Sequence, residues 1–338
     1  MKPNRRNLIL DLWGVLLILP LAAVPFITTD ALDYSLTNQV VIGLAAALGV
    51  YIMLRMDLLA FTVPAFMAIG GYAAAMLATA GTTNLLLLMG ISFVAPALVA
   101  LPLGALLLRL KGVYFIFVTF IFNEILQLVI FETPDLTGGS NGIAGVPPAT
   151  LFGLHLDTPP MLVVVTVVVG LAAALITLAI TYRFGPEFSA IEENETLAES
   201  LGVAIWRYRT IGFITSAGVS GLAGFALVNM LSTAHPSSFS SFSAINYIAY
   251  VIVGGRGTLL GTVLGSALLI WLSNVFSSQG QFSAALFGLL LIVVVMLAPR
   301  GLVGASQKIF VALKPRAKGE PKRQVEGELK AHNNGKQL

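Results

Sequence analysis

Cysteine is absent from all 338 residues, which removes disulfides, thiolate-held zinc or iron–sulfur clusters and any cysteine nucleophile. Charge is scarce too. Only 10% of the residues are charged, against about 25% in ordinary soluble domains. Three histidines, His155, His235 and His332, are spread along the chain, and none sits in a zinc-protease HExxH pattern. There is also no GxxxxGK[ST] phosphate loop, so the chain does not hydrolyse ATP by that route. No cofactor, metal or nucleic-acid partner is expected. What fills the sequence instead is apolar: 57% hydrophobic residues and a mean hydropathy of +0.90, more than one soluble core absorbs.

Apolar stretches long enough to cross about 30 Å of hydrocarbon recur at 8–27, 36–54, 58–80, 85–108, 113–131, 161–182, 208–231 and 281–299. The fold class is therefore all-α: a polytopic transmembrane helical bundle of roughly eight spans in membrane lipid. The first stretch follows Lys2, Arg5 and Arg6 and is read as a retained helix, because its apolar run is long and no small-residue cleavage site follows it. Segment 244–272 is interrupted by Gly254-Gly255-Arg256-Gly257, and each arm is shorter than the ~20 residues a spanning helix needs, so it reads as a broken or re-entrant hairpin.

Positive charge fixes the orientation. With the N-terminus inside, Arg55, Arg109, Lys111, Arg183, Arg207, Arg209, Arg300 and the tail from Lys308 all face inward, while Asp30, Asp33, Glu132, Asp135 and Asp157 face outward. The C-terminus is then inside as well. This divides the chain into a membrane domain over 1–305, with an outer loop at 132–160 and an inner helix at 184–206, and a basic, disordered tail at 306–338. The inner helix is expected to start at Gly185-Pro186 and to be capped by Gly202. Ile191, Ala198 and Leu201 fall on one side of it, among Glu187, Glu192, Glu193, Glu195 and Glu199. An acidic helix is repelled by anionic lipid, so a protein partner is the expected occupant of its apolar stripe.

Chemistry-bearing residues within the spans are few. Glu124 is read as the carboxylate of an apolar span, with Asn123 beside it and Gln127 a turn later. Such a group serves a pathway or helix-to-helix hydrogen bonding, or simply sits near the outer interface. Small residues and a proline interrupt one segment in each half, Pro64 with Gly70-Gly71 and then Gly254-Gly255. Paired interruptions of this kind point to a pathway at the midplane. Gly218-Val219-Ser220-Gly221 has the form of an intramembrane serine protease elbow, but no histidine is expected at the depth of Ser220, so it reads as a packing face. A proton-coupled secondary transporter using Glu124 is the other class, disfavoured because no second intramembrane carboxylate or basic partner accompanies it.

Five strings in order, LRLKGVYFIFVTFIFNEILQL (108–128), TGGSNGIAGVP (137–147), AIEENETLAESLGV (190–203), GGRGTLLGTVLGSALL (254–269) and APRGLVG (298–304), resemble the permeases of branched-chain amino-acid ABC importers, specifically the LivM-type subunit. The resemblance implies a bacterial inner-membrane permease without enzymatic activity of its own. It also implies a second, LivH-type permease, two cytoplasmic ATP-binding subunits and a periplasmic solute-binding protein. Residues 190–203 match the family's cytoplasmic coupling segment, which assigns ATPase coupling to Ala190, Glu193, Glu195 and Gly202. The candidate pathway residues are Asn123, Glu124, Pro64, Gly70, Gly71, Gly254 and Gly255. Where the family commonly reads SLGHAAFFGIGAY this chain has AFTVPAFMAIGGY (60–72), so urea, short amides and aromatic acids stand beside branched-chain amino acids as solutes. Phe188, Ser189 and Glu192 stand where the family usually carries basic residues.

Overall fold

The computed structural model describes residues 5–151, 153–277, 288–289, 292, 296 and 301–303, with side chains from Leu10. Most of the expected span 281–299, the boundary at 305 and the tail 306–338 lie outside those residues. The helices are α1 (Arg5–Leu16), α2 (Val24–Ile27), α3 (Ala31–Leu54), α4 (Val63–Thr79), α5 (Leu85–Leu107), α6 (Val113–Glu132), α7 (Pro134–Thr137), α8 (Pro159–Glu193), α9 (Glu195–Ser200), α10 (Ile205–Leu231), α11 (Ser243–Gly254) and α12 (Leu259–Ser277). Four two-residue strands, β1 (Ile143–Ala144), β2 (Thr150–Leu151), β3 (Leu154–His155) and β4 (Thr233–Ala234), form two small antiparallel pairs, β1 with β4 and β2 with β3. Seven apolar stretches among the described residues are long enough to cross a membrane. The chain is a polytopic helical bundle.

Local chemistry sets the helix limits. Asp30 caps α3 by accepting the Leu32 N–H at 3.1 Å, and Asn84 caps α5 by accepting those of Leu86 and Leu87. The first span is not one helix. After α1 the chain passes through a 3₁₀ turn at Leu19–Ala23 into α2, with Pro20 and Pro25 each near the start of its short element, where the missing N–H is harmless. α4 begins at Val63 rather than 58: Asp57 adopts a left-handed φ of 56°, and the Phe61 N–H is taken by the Thr119 hydroxyl at 3.2 Å instead of by a helix carbonyl.

α3 and α10 form the buried centre, whereas α5 and α6 turn most of their surface outward. Small residues make this centre close-packed. A methyl group at Gly224 would overlap the Met67 carbonyl oxygen of α4, and one at Gly221 the Ser92 carbonyl oxygen of α5. The string GVSGLAG of α10 therefore seats a helix on each side. Ser220, fully buried there, donates to the Ser216 carbonyl at 2.7 Å; it is a packing residue, not a nucleophile.

Segment 244–272 resolves into a half-span and a full one. α11, at 12 residues, is about 18 Å long, but α12 continues to Ser277 and reaches spanning length. The expectation that both arms are short thus holds for α11 alone. The helices meet backbone to backbone, Gly254 on Gly261 and Gly265 on Tyr250, with no room for a side chain at Gly254 or Gly265.

Candidate functional site

Arg55, Lys111, Arg209 and Arg256 gather at one end of the bundle, the end that the charge pattern assigns to the cytoplasm, and two glutamates collect them. The route there is α8, 35 residues long, which overruns the membrane. Contrary to the expectation from sequence, Gly185-Pro186 does not start a separate helix; α8 runs on through Pro186 to Glu193. The break comes at Asn194, whose extended backbone and side chain, accepting the Leu197 N–H at 3.0 Å, cap α9. Gly202, at φ 87°, then ends α9 as expected, and α10 returns into the membrane.

Two ion clusters hold this elbow. In the first, Glu195 accepts from the two terminal nitrogens of Arg209, Nη1 and Nη2, each at 3.2 Å, and from Lys111 Nζ at 2.8 Å. Burial alone would raise the Glu195 carboxyl, but Lys111 and Arg209 outweigh it and hold the group below its ordinary range. In the second, Glu192 Oε2 meets Arg55 Nη1 at 3.3 Å and Glu192 Oε1 meets Arg256 Nε at 3.3 Å, while Arg55 Nη2 donates to Ser189 at 2.7 Å. Arg256 also reaches Asp57 at 4.0 Å. Nearby, buried Asp11 of α1 accepts the N–H of Leu259, the first residue of α12, at 2.7 Å, an acid at the positive end of a helix. Gly301, at φ 73°, lies directly on Gly254–Gly255 and has no room for a side chain.

Four of the five strings singled out in the sequence therefore meet at one end: Lys111, the 190–203 segment, the GGRG turn and Gly301. The fifth crosses to the other end. There β1 pairs with β4, and Gly142 packs against the Ala234 carbonyl with no room for a methyl group, so the outer loop is built onto the segment that leads to α11.

The family described as branched-chain amino acid transport system / permease component matches residues 32–299. The chain belongs to that family. Among the relatives of the permease is the high-affinity branched-chain amino acid transport system permease protein LivM of Salmonella typhimurium, 26% identical over 329 residues, covering 90% of this chain and 77% of the relative. LivM of Escherichia coli K12 is 27% identical over the same shares. The xylose/arabinose import permease protein XylH of Sulfolobus acidocaldarius is 30% identical over 137 residues, 38% of each chain. No solved structure matches. The permease is thus the membrane component of an ABC import system, a transport subunit that works with ATPase and solute-binding partners.

The permease distributes the residues singled out from sequence unevenly. Of the coupling set, Glu193 and Gly202 are exposed on the elbow, Ala190 is half-buried with its carbonyl accepting the Asn194 N–H, and Glu195 is occupied by the internal clamp. The expected apolar docking stripe is corrected for two of its three residues: Ile191 and Ala198 are buried against the permease itself, while Leu201 is turned outward as expected, together with Leu197 and Trp206. Helical phase changes at the Asn194 break, so a single 3.6-residue wheel drawn across it misassigns the faces.

The pathway set divides likewise. Pro64, Gly70 and Gly71 are buried, the two glycines against α10, where Gly70 meets Gly221. Gly254 and Gly255 lie in the hairpin turn. Asn123 is fully buried and donates to the Ser241 hydroxyl, and Gln127 donates to the Phe239 carbonyl at 2.7 Å. Asn123 thus ties the side chain of Ser241 to α6, and Gln127 satisfies a backbone carbonyl of the irregular segment 236–242, a requirement wherever backbone is removed from water. Glu124 points the other way and is exposed between Ile121 and Ile125 on the outward face of α6. Gln127→Leu is accordingly expected to destabilise the fold by about 1–3 kcal/mol by orphaning the Phe239 carbonyl, read as a lowered thermal midpoint in detergent. Glu124→Gln should leave that midpoint unchanged; equal losses in both would refute this division of roles.

Sequence inspection overlooked Asp11, a second carboxylate within a span, because it falls in the first turns of the first stretch. By sequence Arg55 marks sidedness only, and Arg256 belongs only to the glycine interruption of segment 244–272. Their pairing with Glu192, across 137 residues from Arg55, leaves no local pattern.

Proposed function

We propose that the chain forms one half of the translocation pathway of an importer for branched-chain or related amino acids in a bacterial inner membrane. A second, LivH-type permease supplies the other half, and two cytoplasmic ATPases drive transport through the 183–209 elbow. The observation that carries this reading is the elbow's construction. Its outer surface presents Leu197 and Leu201, 57% and 76% exposed, with Glu193 and Glu199 beside them. Its inner surface is clamped to α10 through Glu195 and Arg209 and to α3 through Glu192 and Arg55. An apolar patch rimmed by acid suits a groove on a partner, and the clamps pass any displacement of the patch to both α8 and α10 as a rigid-body motion. Glu124, on the outward face of α6, supports a place for that helix against the second permease or the passage between them, since a carboxylate facing lipid is costly.

The test is solute-stimulated ATP hydrolysis and uptake by the complex reconstituted with its ATPases and binding protein, with leucine, urea and phenylalanine as solutes. The Leu197→Glu, Leu201→Glu double variant is expected to assemble as a membrane domain and lose stimulated hydrolysis and uptake at least on the order of tenfold, a coupling of ordinary size. Unchanged stimulation removes the elbow from the transmission path. Uptake driven by a proton gradient without any ATPase would overturn the importer itself, and stimulation by urea or phenylalanine rather than leucine would reassign the solute.

A further inference from the structure

We propose that Glu192 and Arg256 form a separable link that delivers movement of the elbow to the α11–α12 hairpin, Arg256 acting as a positioning residue for transport. The inference rests on the coupling role proposed for the elbow.

The Glu192 carboxylate is shared between two unlike guanidinium groups. Toward the core it meets Arg55, 13% exposed, which follows the last turn of buried α3 and is held a second time by Ser189. Toward the hairpin it meets Arg256, 56% exposed, through Nε. The first contact fixes the end of α8 to the bundle. The second is solvated, and solvated ion pairs exchange readily with water, so it is the one that opens and closes as the elbow shifts.

The hairpin is built to carry such a shift. The close approaches of Gly254 on Gly261 and Gly265 on Tyr250 make α11 and α12 one rigid piece. Its turn is held from three further sides: Asp57 at 4.0 Å from Arg256, Asp11 on the Leu259 N–H, and Gly301 on Gly255. α11, about 18 Å long, connects the turn to the irregular segment that Asn123 and Gln127 hold against α6. A displacement at Arg256 therefore emerges beside the candidate pathway, away from the elbow and by a route distinct from α8 and α10.

Because the chain has no cysteine, Gly257→Cys serves as a lone reporter; Gly257 is exposed, and a side chain there meets open space. In the reconstituted complex its thiol-labelling rate is expected to change severalfold on addition of ATP. Arg256→Gln should abolish that change and lower solute uptake per ATP on the order of tenfold, with assembly intact, while Arg256→Lys should retain most of both. Arg256 is the site of choice because Glu192→Gln strands Arg55. Wild-type uptake per ATP and an unaltered ATP-dependent labelling change in Arg256→Gln would overturn the link. If the Leu197→Glu, Leu201→Glu variant uncouples at the same time, the elbow's role stands and only the link falls. A wild-type complex whose hydrolysis ignores solute overturns both.

Discussion

Gly224→Val is expected to abolish accumulation of folded permease. At this position α10 lies so close to α4 that any Cβ overlaps the Met67 carbonyl oxygen, and a backbone atom in an α-helix cannot rotate away as a side chain does. The helices must separate, and with them goes the neighbouring contact of Gly70 on Gly221. Between membrane helices no water is displaced by regained contact, so van der Waals packing is the attraction that separation forfeits. Overpacking typically costs about 1–3 kcal/mol and more where the opposing atoms are fixed, which is a large part of the roughly 5–15 kcal/mol that holds a typical domain. Fluorescence-detected size exclusion should show aggregate in place of a monodisperse peak. Gly90→Ala, where a methyl group meets nothing, is the control and should behave as wild type. A monodisperse Gly224→Val protein with an unchanged thermal midpoint would mean that α4 and α10 do not meet backbone to backbone at this position.

That seam also marks where sequence reading stops. The strings GVSGLAG and AIGGY announce small residues, and small residues announce close packing, but whether Gly70 and Gly71 border an open passage or another helix depends on where α10 lies. Length and hydropathy alone give α3, α5, α6, α8 and α10 their places, since an apolar run of spanning length has few alternatives. Prolines mislead in both directions. Pro20 and Pro25 break the first span although its hydropathy is continuous, whereas Pro186 leaves α8 unbroken; the latter lies where the helix has left the hydrocarbon and water can serve the freed carbonyl. Signs of charge yield an expected sidedness directly, because position relative to the membrane is a one-dimensional property. Which carboxylate each arginine meets is three-dimensional, and Glu192 and Glu195, three residues apart, divide the available cations between different helices.

Glu195→Ala is expected to loosen the inner end of α10. Arg209 is 6% exposed, and its two guanidinium bonds run to the same carboxylate, the fork geometry in which arginine pairs most strongly. Removing that partner leaves a buried cation, which costs about 3–5 kcal/mol; the lower figure applies here because Glu195 itself retains some contact with water. Lys111, with a side chain 72% exposed, gives up little when its own bond is lost, roughly 1 kcal/mol or less. Thermal midpoints in detergent should therefore drop clearly for Glu195→Ala and hardly for Lys111→Ala. The clamp also predicts an acid limb. Because Glu195 is held below its ordinary range in the fold, the unfolded chain takes up its proton first as pH falls, so the contribution of the clamp is full at neutral pH, declines as the medium enters the ordinary carboxylate range and is gone once pH passes below the lowered value. Glu195→Gln should flatten that limb while leaving the rest of the pH profile in place. Matching acid limbs in the two proteins would show that the Glu195 proton is not linked to folding and that Arg209 is held by something other than its charge partner.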